Sequence, residues 1–176
     1  MSESDVNTIT EKNPEKSFRI KSDNSKILKS IVETLGNIID ESKIEVSPDA
    51  LVIKAMDPSR ICLLKLSLGK ECFEEYQCSQ KTSIGINLDS FDKVLKRSTS
   101  QDQITLSYNN SEAKIKISMK QEEKTRAKNF TLRLISLDVE EVPVENLESI
   151  EYDSFWTMDP EFLVEAIRGD TSETHR

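Results

Sequence analysis

Between Phe18 and Ile135 the sequence consists of short alternating runs broken by turn residues, with room for only two amphipathic helices, and that order leaves few folds open. Phe18 and Ile20 alternate with polar neighbours as a strand does. Ser22-Asp23-Asn24 then supplies side-chain oxygens that cap a helix N-terminus. Ile27, Leu28, Ile31, Leu35, Ile38 and Ile39 repeat at three and four residues, which predicts a helix to about Asp40 with Lys26, Lys29, Glu33 and Asn37 on its polar side. β-rich runs follow at 44–46, 50–56 and 61–68, separated by Ser47-Pro48-Asp49 and Asp57-Pro58-Ser59, the turn chemistry of an antiparallel meander. Extended runs at 73–78 and 83–87 lead to Asp89, placed to cap a second helix over 90–97 that carries Lys93, Lys96 and Arg97. Runs at 104–108 and 113–119 flank Asn109-Asn110-Ser111 as a hairpin, and 130–135 closes the series. Two amphipathic helices need a common apolar surface, so the expected fold class is α+β, an antiparallel sheet with two helices on one face.

The remaining segments set the expected domain organisation: residues 1–17 as a disordered N-terminal tail, 18–135 as a first domain, 136–149 as a connector and 150–176 as the truncated start of a second, similar domain. The tail is polar and has neither the apolar run of a signal peptide nor the pattern of a transit peptide. Residues 150–156 read as a strand, Asp159-Pro160 starts a helix, and Phe162, Leu163, Ala166 and Ile167 form its apolar face, which repeats the opening of the first unit. Nothing after Gly169 completes a core.

Several chemistries lack their ingredients. The four glycines, Gly36, Gly69, Gly85 and Gly169, are isolated, so no phosphate-cradling loop or dinucleotide fingerprint exists. The only histidine is His175, and Cys62, Cys72 and Cys78 form no C-x-x-C pair, so no metal site and no cofactor are expected. The adjacent acids Glu74 and Glu75 on a strand face opposite sides and cannot act on one bond, so no catalytic residues are assigned and the chain does not read as an enzyme. No run approaches a membrane span. The net charge of −8 is uneven: the nine acids from Asp138 to Glu161 face no base, which leaves +1 for the rest, and residues 114–133 hold seven bases against Glu122 and Glu123. One face is thereby free to meet a polyanion while another repels it.

The string Met56-Asp57-Pro58-Ser59-Arg60-Ile61, the alternating Leu64 and Leu66, then Phe73-Glu74-Glu75-Tyr76, Ile84-Gly85-Ile86-Asn87-Leu88 and Lys93-Val94-Leu95-Lys96 resembles the proliferating cell nuclear antigen family, the sliding clamps of archaea and eukaryotes. Leu134-Ile135-Ser136-Leu137-Asp138-Val139-Glu140 resembles that family's passage from first domain to connector. The resemblance runs from Phe18 to Arg168; the tail before Phe18 is extra and almost all of the second domain is missing.

It implies a DNA-clamp fold and a polymerase processivity factor that encircles double-stranded DNA without reading sequence. Lys26, Lys29, Lys93, Lys96 and Arg97 are the expected DNA-facing residues, taken as exposed bases, whose alternative is mere solvation of helix faces. A pocket for short motif peptides of DNA polymerase, clamp loader, flap endonuclease and ligase is implied at Met56, Asp57, Arg60, Ile61, Leu63, Val142 and Val144. Met56, Ile61 and Leu63 also read as core, and Asp57 as a turn-former. Residues 125–134 match the edge strand that closes the ring, with Phe130 at the subunit interface or, alternatively, in the core. A homo- or hetero-oligomeric ring is expected where a complete second domain is present, and a truncated, non-encircling adaptor or decoy is the competing reading. The implied location is nuclear in a eukaryote, or cytoplasmic with the nucleoid in an archaeon.

Overall fold

The computed structural model describes residues 16–137 and 149–170. The chain divides into two units, residues 1–142 and 143–176. In the first, nine strands and two helices follow the order read from the sequence: β1 (Ser17–Ser22), α1 (Ser25–Gly36), β2 (Glu41–Val46), β3 (Ala50–Met56), β4 (Leu63–Gly69), β5 (Glu75–Cys78), β6 (Thr82–Asn87), α2 (Leu88–Leu95), β7 (Gln103–Asn109), β8 (Lys114–Lys120) and β9 (Lys128–Arg133), with a 3-10 turn at Lys70–Cys72.

All strand pairs are antiparallel and fall into two sheets, β5-β1-β7-β8-β9 and β4-β3-β2-β6. The sequence signals each strand but not this division. The meander from β2 to β4 lies in one sheet, while β1 is inserted between β5 and β7 by long-range pairing, Ile20 opposite both Tyr76 and Leu106. After β9 the chain touches the free edge of β6 through a bridge between Ile135 and Gly85. A Cβ on Gly85 would stand 2.3 Å from the Ile135 carbonyl oxygen, so this approach of two backbones requires glycine.

Period-two strands and period-3.6 helices bury their apolar faces in one core. Phe18, Ile20, Ile104, Leu106, Ile115, Ile117 and Met119 come from the five-stranded sheet; Ile44, Val46, Leu51, Ile53, Ile84 and Ile86 come from the other. Val32 and Leu35 of α1 and Leu88, Phe91 and Leu95 of α2 join the same core.

Several boundaries differ from the sequence reading, among them the closing strand, read at 130–135 and found at Lys128–Arg133. α1 stops at Gly36, where helix propensity fails, although Ile38 and Ile39 still pack inward through the turn whose N–H groups donate to the Leu35 carbonyl. The cap of α2 is Asn87, whose Oδ1 accepts from the Ser90 N–H at 2.9 Å; Asp89 sits in the first turn instead. β4 starts at Leu63, leaving Ile61 in the loop at 88% exposure.

In the second unit the helix α3 (Pro160–Asp170) forms as expected, with the Asp159 carboxylate accepting from the Glu161 N–H at 2.9 Å. The expected strand at 150–156 is absent: this stretch has no paired strand among the described residues, and alternation without a neighbour to bond makes no strand. Phe155 is 94% exposed, and Phe162 and Ile167 are exposed too.

Candidate functional site

The helix pair carries the first group of candidate residues. α1 and α2 pack against each other, and the backbone just after α2 is tied to the start of α1: the Ser25 hydroxyl donates to the Thr99 carbonyl at 2.7 Å and the Lys29 ammonium to the Ser98 carbonyl at 2.5 Å. Lys29 is therefore not the exposed base expected from sequence. It is half-buried and places its charge on the carbonyl end of the neighbouring helix, where the helix dipole favours a cation. Replacing it with methionine keeps the stem and removes the charge; Lys29→Met is expected to lower stability by about 1–2 kcal/mol, read as a lower urea midpoint at unchanged slope.

The other four bases are exposed. Lys93 pairs with Asp89 at 2.5 Å and Lys96 with Asp92 at 2.6 Å, each one helical turn apart. The hydrogen-bonded Asp92 carboxylate holds the Lys96 ammonium protonated to higher pH than usual. Lys26 has no ion pair among the described residues. Arg97 lies over the Phe130 ring, 5.5 Å from its centre.

Phe130 thus joins the helix end to β9, the outermost strand of the five-stranded sheet. It is half-buried: its backbone lies in the edge strand and its ring packs against the core, as the core reading of it has it. Two residues that sequence reasoning missed complete this joint. Asp102, 2% exposed, accepts from the Thr99 N–H at 2.7 Å and from the Lys128 ammonium at 3.3 Å, and that ammonium also donates to the Arg97 carbonyl at 3.2 Å. Burial alone pushes this acid up, but the Thr99 N–H and the Lys128 charge outweigh it and hold it below the usual carboxylate range. Asp102 stands in the polar run Ser98-Thr99-Ser100-Gln101, which signals a loop and gives no sign of a buried charge.

The second group surrounds the loop between β3 and β4. Met56 and Leu63 are a cross-strand pair at its base, both half-buried. Asp57 closes the loop: Oδ1 accepts from the N–H groups of Ile61 at 2.8 Å and Cys62 at 2.6 Å, Oδ2 accepts from the Ser59 N–H at 3.1 Å and from the Ser59 hydroxyl. The Ser59 hydroxyl and the N–H groups of Cys62, Ile61 and Ser59 hold this carboxyl below the usual range. Its oxygens are spent inside its own loop, which makes it the turn-former of the two readings. Arg60 takes a left-handed conformation with φ 59°, and beside it Ile61 stands almost wholly in solvent. Val142 and Val144 lie outside the described residues.

Among the described residues no cluster of three metal-ligating side chains occurs, and no helix is long and apolar enough to cross a membrane. Glu74 and Glu75 form ion pairs with Lys21 and Arg19.

A family model described as proliferating cell nuclear antigen, N-terminal domain, matches residues 17–142. The chain is 34% identical to proliferating cell nuclear antigen 2 of Drosophila melanogaster over 118 residues, 67% of this chain and 46% of that protein. It is also 34% identical to the DNA polymerase sliding clamps of Thermococcus gammatolerans and Pyrococcus horikoshii over 151 residues, 86% of this chain and 58% of each. It spans about half the length of these relatives. With the two helices, the antiparallel sheets and the closing passage at Ile135 all inside the matched span, the chain belongs to the proliferating cell nuclear antigen family.

Proposed function

We propose that this chain supplies the first domain of a DNA sliding clamp, a non-catalytic processivity factor that holds replication and repair enzymes on duplex DNA. The observation that carries this reading is the helix pair of a family member with its apolar faces in the core and Lys26, Lys93, Lys96 and Arg97 exposed. Such bases attract phosphates without reading bases. Lys93 is held by Asp89 in an exposed, solvent-screened pair that adds little to stability, and the exposed Lys96 is held by the half-buried Asp92, so a passing phosphate competes for Lys93 at least cost. Attraction that is positive but already partly neutralised suits movement along DNA better than tight binding.

In the same reading the open edge of β9 at Phe130 pairs with an edge strand of a neighbouring subunit in a homo- or hetero-oligomeric ring. The loop at Met56, Asp57, Arg60, Ile61 and Leu63, with Val142 and Val144, receives motif peptides of polymerase, clamp loader, flap endonuclease and ligase. The exposure of Ile61 and the half-exposure of Leu63 beside a hydrogen-bonded loop support this use. The clamp would act where the genome is, in the nucleus of a eukaryote or at the nucleoid of an archaeon.

The test is topological. Protein purified from its own cells and assembled on nicked circular duplex is expected to survive a salt wash and to run off when the circle is cut; equal loss from circular and linear DNA would rule out encirclement.

A further inference from the structure

The run of bases at 114–133 is not used up by the helix face. It folds as β8, a turn at 121–127 and β9. The turn is anchored beside the end of α2 at two points. Gln121 Nε2 donates to the Thr99 hydroxyl at 3.0 Å, and the Lys128 ammonium donates to the Arg97 carbonyl at 3.2 Å and to Asp102 at 3.3 Å. The Lys124 N–H donates to the Gln121 carbonyl at 3.1 Å and closes the turn. Between the anchors stand Lys124 and Arg126, both exposed and with no side-chain partner among the described residues.

On the helices, by contrast, Lys93 and Lys96 are paired with acids and Lys29 is spent on a carbonyl. Much of the positive charge left uncompensated around the end of α2 is therefore Arg97, Lys124 and Arg126. We propose that the turn between β8 and β9 is a second phosphate-contacting element, in which Lys124 and Arg126 bind the backbone of duplex DNA alongside Arg97. This inference rests on the clamp reading and extends its DNA face from the helices to the sheet edge.

Two observations support duplex DNA as the ligand. The two ends of the turn are tied to the segment that ends α2, Gln121 to the Thr99 hydroxyl and Lys128 to the Arg97 carbonyl, which sets the turn beside Arg97. Residues 121–127 include no aromatic side chain, which single strands use for base stacking.

The experiment measures binding of the whole chain to a short random-sequence duplex by fluorescence anisotropy across a salt series. Three proteins are compared: wild type, Lys124→Gln with Arg126→Gln, and Lys26→Gln with Arg97→Gln. Removing one phosphate-neutralising charge makes the slope of log affinity against log salt shallower by about 0.9, so the turn variant is expected to lose about 1.8 of slope, which is about tenfold less weakening between roughly 50 and 200 mM salt. A turn variant with the wild-type slope, while the helix variant loses its own share, overturns this inference and leaves the clamp reading standing. The reverse pattern keeps the turn as a DNA site and removes the helix face. No binding by wild type at the lowest salt overturns this inference and leaves the clamp reading to its topological test. A turn variant whose slope is unchanged but whose mass by light scattering shifts assigns the turn to a protein contact and ends the proposal.

Discussion

Asp57→Ala is expected to reduce the affinity for a motif peptide by tenfold or more while leaving the fold intact. The carboxylate accepts from three backbone N–H groups and one hydroxyl within a six-residue loop, and no other side chain is seen to take over those donors. Freed, the loop would no longer hold Arg60 in its left-handed conformation or present Ile61 in one place, and the peptide would have to order the loop as it binds. The core residues Ala55 and Ile53 sit on β3 below the loop and keep their burial, so the melting temperature should hardly move. Asp57→Asn separates geometry from charge. Its one carbonyl oxygen can still accept from Ile61 and Cys62 but its amide cannot accept from Ser59, and an intermediate loss is expected. The pH dependence has a definite sign. Because the folded-state value lies below the ordinary one, the loop's stabilisation is complete above the unfolded carboxyl value near 4 and is lost as pH falls through the depressed value. Peptide titration calorimetry should therefore be flat across neutral pH and fall only in acid; a loss that begins near pH 6 would point to another group.

This loop was legible in advance because its chemistry is local. Asp57-Pro58-Ser59 between two alternating runs specifies a turn closed by the aspartate, and nothing distant is needed to form it. The strands were legible for the same reason, since each carries its own alternation. What escaped is what depends on separated segments. Lys29 reads as a surface base on the polar side of α1, yet its partner is a carbonyl 69 residues away, at the end of a helix whose placement no local pattern reveals. Ile27 sits in the apolar repeat and is nevertheless 57% exposed, because the repeat gives the stripe but not which flank of it the second helix covers. Asp102 looks like one more loop acid until β9 brings Lys128 over it. The stretch at 150–156 failed in the opposite direction, with strand-like residues and no neighbouring strand to pair with.

Leu95→Ala should lower stability by about 2–5 kcal/mol, because the side chain is fully buried and the sheets around it can close only part of the cavity. Leu95 is the last residue of α2, and the Leu95 carbonyl accepts both the Ser98 N–H at 2.9 Å and the Ser98 hydroxyl at 2.8 Å. The same backbone then supplies Ser98 and Thr99 to α1 and Arg97 to Lys128. A cavity under Leu95 therefore loosens the point at which both helices and the edge strand meet. A fall of roughly 10–20 °C in melting temperature is the expected calorimetric result for a domain of this size. Local loosening should go further than the global loss: hydrogen exchange at the Ser98 N–H and at the β9 amides bonded to β8 should speed up more than at β2 and β3, which share the core but not this joint. Leu95→Met, which keeps the volume, should recover most of both effects. Uniform acceleration across both sheets would mean that Leu95 only fills space and that the helix end and the edge strand are not specifically coupled.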